Sequence, residues 1–193
     1  EEATVKRVSG EIPGTDPQLA GQTLVVWAYY DSTSVVPALS PGAESSCGIA
    51  TLLEVAKFLR RHPPRRNVKF IAAPGHYQGL GGVRDYALKT IYPRRWDADK
   101  DADEGTGEPY FFVGLDISAR HDSFGAFYKG YFYDQLGTGE VELQRAYSDY
   151  SALLMDWGSA VGAKGGPAAG LTYQSGIVPQ QGRNWRSLQP GLI

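Results

Sequence analysis

Two short apolar runs on either side of one amphipathic segment constrain this chain more than any other feature. Gln22 to Tyr30 (QTLVVWAYY) and Asn67 to Ala73 (NVKFIAA) have the length and β-former content of strands buried on both faces. Between them, Glu44 to His62 carries Ile49, Leu52, Leu53, Ala56 and Leu59 at helical spacing, with Val55 and Phe58 widening the stripe. Glu44, Ser45 and Ser46 offer capping groups at its start. Arg60, Arg61 and His62 place positive charge at its end, and Pro63-Pro64 stops it. Strands alternating with amphipathic helices imply an α/β sheet covered on both faces.

The rest of the chain continues the alternation. Thr4 to Ile12 is a loose β stretch closed by the turn-rich Pro13 to Pro17 (PGTDP). Gln78 to Ile91 predicts a helix with Leu80, Val83, Tyr86, Ala87 and Ile91 on one side. Strands are predicted over Tyr110 to Ile117, Phe124 to Tyr133, Leu171 to Val178 and the terminal Leu188 to Ile193, with a helix over Val141 to Val161. The fold expected is α/β, a three-layer sandwich with a mixed, mainly parallel sheet flanked by helices. Sites in such sheets form beyond the carboxyl ends of the strands. The segments to search therefore follow Tyr30, Ala73, Ile117 and Val178.

Composition narrows the classes of function. The 193 residues carry a formal charge of −2, which gives no footprint for a nucleic-acid backbone. No run approaches 18 consecutive apolar residues, so this domain is not expected to insert into a membrane. Hydrophobic residues at 42% support one core, and 1–193 reads as a single domain excised from a longer chain. The single cysteine, Cys47, excludes a thiolate zinc cluster, and three histidines leave few imidazole ligands for a transition metal.

Several blocks, taken together, carry a likeness. They are Val8 to Pro17 (VSGEIPGTDP), Trp27 to Ser32 (WAYYDS), Pro41 to Ala50 (PGAESSCGIA), Leu52 to Ala56 (LLEVA), Phe70 to Tyr86, Leu115-Asp116-Ile117 and Gly182 to Trp185 (GRNW). The chain resembles the co-catalytic di-zinc aminopeptidases, a family that includes glutamate carboxypeptidase-like and transferrin-receptor-like domains. The resemblance implies a zinc-aminopeptidase-like fold and a strand-end site for two zinc ions held by five side chains. It also implies the positions where those side chains stand. The first histidine ligand falls on Tyr29, and the bridging aspartate on Ala43, or on Glu44 if a one-residue gap is moved. The catalytic base falls on His76 and the adjacent glutamate ligand on Tyr77. The aspartate ligand is kept as Asp116, and the last histidine falls on Asn184. Asp31, which in the family orients the first histidine, is kept without that partner.

Zinc pairs need imidazole and carboxylate donors in number. With Asp116 and Glu44 as the only candidate metal ligands, no zinc is expected, and the predicted function is that of a catalytically silent domain acting in binding or scaffolding. A hydrolase with an altered or single-metal site at Asp116, His76 and Glu44 is the first alternative. A peptide- or carbohydrate-binding module using the residual cleft of Tyr29, Asp31, Glu44, Cys47, His76, Tyr77, Asp116 and Asn184 is the second. Cys47, placed in the first turn of a predicted helix, also allows a Cys-His pair with His76, though no third orienting group is identified.

Other features have plainer readings. Asp97, Asp99, Asp101 and Glu108 match calcium-loop positions, but Ala102 stands where glycine is needed, so a solvated acidic loop is preferred and calcium is not expected. The cluster Arg60, Arg61, Arg65 and Arg66 reads as a solvated helix end. The aromatic stretch Phe124, Phe127, Tyr128, Tyr131, Phe132 and Tyr133 exceeds what one inner face hides, which suggests a protein partner or neighbouring domains of the same chain. An extracytoplasmic location follows from the resemblance alone.

Overall fold

The computed structural model describes residues 5–32, 36, 42–76, 78–90, 108–117, 123–129, 141–165 and 172–177. They fall into two compact units, Glu1–Ala119 and Arg120–Ile193.

In the first unit, β2 (Gln22–Tyr29) is central. It pairs in parallel with β3 (Asn67–Ala73) on one side and β4 (Glu108–Gly114) on the other, while β1 (Val8–Ile12) lies antiparallel to β3 at an edge. The order is β1-β3-β2-β4. Strand periodicity sends alternate side chains to opposite faces. Val26, Ala28, Val68 and Phe70 meet Leu52, with Ile49, Val55, Ala56 and Leu59 of helix α1 (Gly42–Arg61) packed around them. Val25, Tyr29, Ile71 and Ala73 meet Tyr86, with Val83 of helix α2 (Gly81–Thr90) beside it. Each fully buried Val, Leu or Ile contributes roughly 1.5–3 kcal/mol. This is the mixed α/β arrangement expected, with both faces of the sheet covered.

Three helical details differ from expectation. Leu53 and Phe58 lie outside the packed stripe of α1, at 54% and 57% exposure. Leu53 stands about 100° around the helix from Leu52, and the Phe58 ring stacks on His62 instead, with ring centroids 4.4 Å apart. Helix α2 begins at Gly81 rather than Gln78, because Gly79 and Leu80 take left-handed φ values of 64° and 58°. That conformation breaks the helical run and leaves Leu80 exposed.

The arginine cluster also does more than end a helix. The Arg65 guanidinium donates to Asp16 Oδ2 from Nη2 at 2.6 Å and from Nε at 3.1 Å. Arg66 Nε donates to Gln22 Oε1 at 2.6 Å. Asn67, buried at the start of β3, accepts from Gly14 N and donates to Ala20 O, both at 2.8 Å. The turn between β1 and β2 is thereby tied to the segment that leads into β3.

In the second unit, β5 (Ser123–Lys129) and β6 (Thr172–Ile177) form a parallel pair. Helix α3 (Val141–Gly162) connects them in sequence and packs on both, with Met155 buried. Tyr131, Phe132 and Tyr133, the predicted strand at Leu188 to Ile193, and Asp97 to Asp103 lie outside the described residues. Glu108, read above as the last residue of an acidic loop, instead begins β4 opposite Gln22.

At Gly48, helix α1 lies against the segment that follows β4. A Cβ built there would stand 2.4 Å from the Leu115 carbonyl oxygen, far inside van der Waals contact. Gly48→Ala is expected to lower stability by about 1–3 kcal/mol through overpacking, measured by urea unfolding. An unchanged midpoint would show that α1 does not press on Leu115.

Candidate functional site

The topology selects one place for a site. The chain leaves β2 for α1 on one face and leaves β3 for α2 on the other. Crossovers of one hand that run in opposite directions across a sheet put their helices on opposite faces. A crevice therefore opens beyond the carboxyl ends of β2 and β3, at the point where the winding reverses. The residues leaving β2 are Tyr30, Asp31 and Ser32, and those leaving β3 are Pro74, Gly75 and His76. Asp116 follows β4, two residues past its last paired position, Gly114.

Asp31 bridges the first two exits. Its carboxylate accepts a hydrogen bond from Gly75 N at 2.7 Å and a longer one from His76 N at 3.4 Å. Gly75 adopts a φ of 83°, which glycine reaches without steric cost. The turn then closes on itself, with Gly81 N donating to Gly75 O at 3.0 Å. The sequence reading left Asp31 with nothing to orient. The fold gives it backbone amides to hold, and the signal for that role was an acid two residues past one strand and a glycine two residues past its parallel neighbour.

Tyr29 is the last residue of β2. It is buried, its ring meeting Trp27 edge-on at 5.1 Å between centroids and His76 at 4.6 Å in a tilted contact. Its hydroxyl has no hydrogen-bond partner among the described residues. Burial first, then the negative charges of Asp31 and Asp116, raise the phenol's pKa, so Tyr29 stays neutral.

Asp116 retains contact with water as a residue. The protein packed around its carboxyl still thins its hydration enough to raise the pKa above the ordinary carboxylate value, while the neighbouring His76 imidazole acts in the opposite direction. Tyr29, Asp31, His76 and Asp116 thus belong to one electrostatic neighbourhood.

The other candidates are placed less fully. Glu44 lies in the first turn of α1, where the backbone alone is described. Cys47 is half-buried and falls in the second turn of α1, not the first, because the helix starts at Gly42. Tyr77 and Asn184 lie outside the described residues. Among the described residues, no three His, Cys, Asp or Glu side chains converge closely enough to hold a metal ion. A surface depression of about 430 Å³, lined by Ala50, Thr51, Glu54, Val55 and Phe58, lies along α1 and shares no residue with the crevice.

A strand-end crevice at a reversal of winding, carrying an acid from each of β2 and β4, is the setting implied by the resemblance. A sequence model of peptidase family M28 matches residues 7–145. The chain belongs to peptidase family M28. The match runs from the residue before β1 into the start of α3 and so includes Tyr29, Asp31, His76 and Asp116. The M28 assignment accounts for the mixed sheet with flanking helices. Among curated proteins, none matches this chain.

The Asp116 environment has a pH signature. A carboxyl whose pKa is higher in the folded chain than in the unfolded one is penalised when charged. The penalty is fully present above the folded pKa and disappears below the unfolded value, near 3.8. Asp116→Asn is therefore expected to raise the thermal midpoint at pH 7.5, with the advantage shrinking toward pH 4. Melting both proteins across that range checks it. A variant less stable at pH 7.5 would contradict it.

Proposed function

We propose that this peptidase-like domain is a catalytically silent member of the M28 family, retained for binding or for scaffolding a larger assembly. The observation that carries the reading is Tyr29. It stands where the family resemblance puts the first histidine ligand, and its burial, with the charges of Asp31 and Asp116 added, keeps its phenol protonated. A neutral phenol is a poor zinc donor, and zinc sites are built from imidazole, carboxylate and thiolate. The tilted packing of the Tyr29 ring on His76 takes up space at the base position as well. Asp31, whose counterpart orients a metal-ligating histidine, is committed to Gly75 N and His76 N.

These residues do not fit a pair of zinc ions. Asp116 and Glu44 are the candidate carboxylates, His76 is the candidate imidazole, and three donors leave two dications under-neutralised. The partner class that suits a silent domain is a protein or neighbouring domains of the same chain. An extracytoplasmic location is proposed on the family's habits. Among the described residues, no helix is long and apolar enough to cross a membrane.

A second reading has one observation in its favour: Asp116 and His76 are close enough to influence each other electrostatically. Such a pair is the start of a single-metal hydrolase site. One experiment separates the two. Dialysed protein is assayed for zinc by elemental analysis and then tested on aminoacyl-nitroanilides with zinc, manganese or cobalt. The silent reading expects substoichiometric zinc and no turnover. Two tightly bound equivalents, or turnover abolished by Asp116→Ala, would overturn it.

A further inference from the structure

We propose that strand β1 pairs edge to edge with β1 of a second copy of this chain, in a two-fold register centred on Ser9. The inference is independent of what the crevice holds. It starts from the place of β1 in the sheet. Among the described residues, β3 is the only strand paired with it, so β1 has no strand along its other edge. Residues 8–11 are exposed, Val8 at 63%.

The hydrogen bonds of the sheet fix which main-chain groups point outward there. Tyr30 N donates to Ala73 O at 3.1 Å, so Ala73 turns its main-chain groups toward β2. Successive residues of a strand turn these groups to opposite sides. Val68, Phe70 and Ala72 therefore turn toward β1, where Ile12, Gly10 and Val8 stand opposite them. Lys6 keeps the same alternation, since its carbonyl oxygen accepts from the Tyr30 hydroxyl on the inner side. The main-chain groups of Arg7, Ser9 and Glu11 are thus the ones directed away from the sheet.

Antiparallel pairing across a two-fold axis sets these odd-numbered residues opposite odd-numbered ones. With the axis at Ser9, Arg7 of each copy faces Glu11 of the other, and Ser9 faces Ser9. With the axis at Gly10, Arg7 faces Pro13, which has no N–H to give. With the axis at Val8, Glu11 faces Val5. Charge complementarity selects the first register. Ser9 stands opposite Ile71, a member of the cluster beneath α2, so Arg7, Ser9 and Glu11 share the α2 face of the sheet. Glu11 lies opposite Lys69 of its own β3, and the doubled sheet sets it between Lys69 and Arg7 of the second copy. Arg7 is ordered before pairing, bonded to Asp85 at 3.3 Å and lying 5.1 Å from the Tyr86 ring centroid. On the opposite face, Val8 comes to lie across from Gly10 of the second copy. A Cβ built on Gly10 meets nothing within 4 Å, so there is room for the isopropyl group. The five residues of β1 bury less on each copy than a standard interface of about 1,600 Å² requires. A reversible dimer is therefore expected, half-formed at a concentration on the order of 100 μM. Pairing uses the β1 edge of both copies and stops at two.

The test is sedimentation velocity of the whole chain from about 5 to 500 μM, over which the monomer is expected to give way to a dimer. Arg7→Glu and Glu11→Arg each set like charges opposite one another and should raise the dissociation constant about tenfold or more. Mixed one to one, these two variants should associate with each other at wild-type strength, because the acids of one then face the bases of the other. Ser9→Pro removes an outward N–H that β3 does not use, so it should abolish the dimer and leave the thermal midpoint unchanged. It decides the matter if either charge variant fails to fold by circular dichroism. A chain monomeric throughout would overturn the proposal. So would a dimer indifferent to Ser9→Pro, no recovery on mixing two folded charge variants, or association beyond two copies. None of these readouts depends on zinc or turnover, so the silent reading stands or falls separately.

Discussion

Tyr29 is the last residue of the central strand, and its ring is held between Trp27, 5.1 Å away, and His76, 4.6 Å away. Much of the unit converges on this packing. Tyr29 belongs to the same buried cluster as Val25, Ile71, Ala73 and Tyr86, so it is a core residue and a cleft residue at once. Moving a side chain anchored in this way would open a cavity under α2. The same residue also fixes the character of the crevice. Where an imidazole would supply a ring nitrogen, Tyr29 has an uncharged hydroxyl.

The Asp31 carboxylate complements this packing from the other side. By accepting from two successive amides after β3, it sets where His76 emerges and hence how the imidazole meets the Tyr29 ring. In the arrangement the resemblance implies, an aspartate here steadies a metal ligand. In this chain, the same residue steadies a turn. A side chain kept for the turn's sake needs no metal to explain it.

Much of the fold was readable beforehand because periodicity and strand composition are local properties. The apolar runs of β2 and β3 and the stripe Ile49, Leu52, Val55, Ala56, Leu59 fall where burial places them. What escaped was set by backbone geometry and by contacts distant in sequence. The left-handed φ of Leu80 delays α2, and no pattern of apolar residues signals it. The hold of Arg65 on Asp16 joins segments 49 positions apart, so it looked like simple charge at a helix end. The alternation of elements narrowed the search to four strand ends, whereas the switch point between β2 and β3 and the clamp made by Asp31 required knowing which strands are neighbours.

The central claim is that the strand-end crevice offers too few charged donors for two zinc ions. It is tested most directly by growing crystals in excess zinc and measuring an anomalous difference map at the zinc absorption edge. The account predicts no pair of peaks between Asp116, His76 and the end of β2. Two strong peaks there, ligated by these side chains, would contradict it.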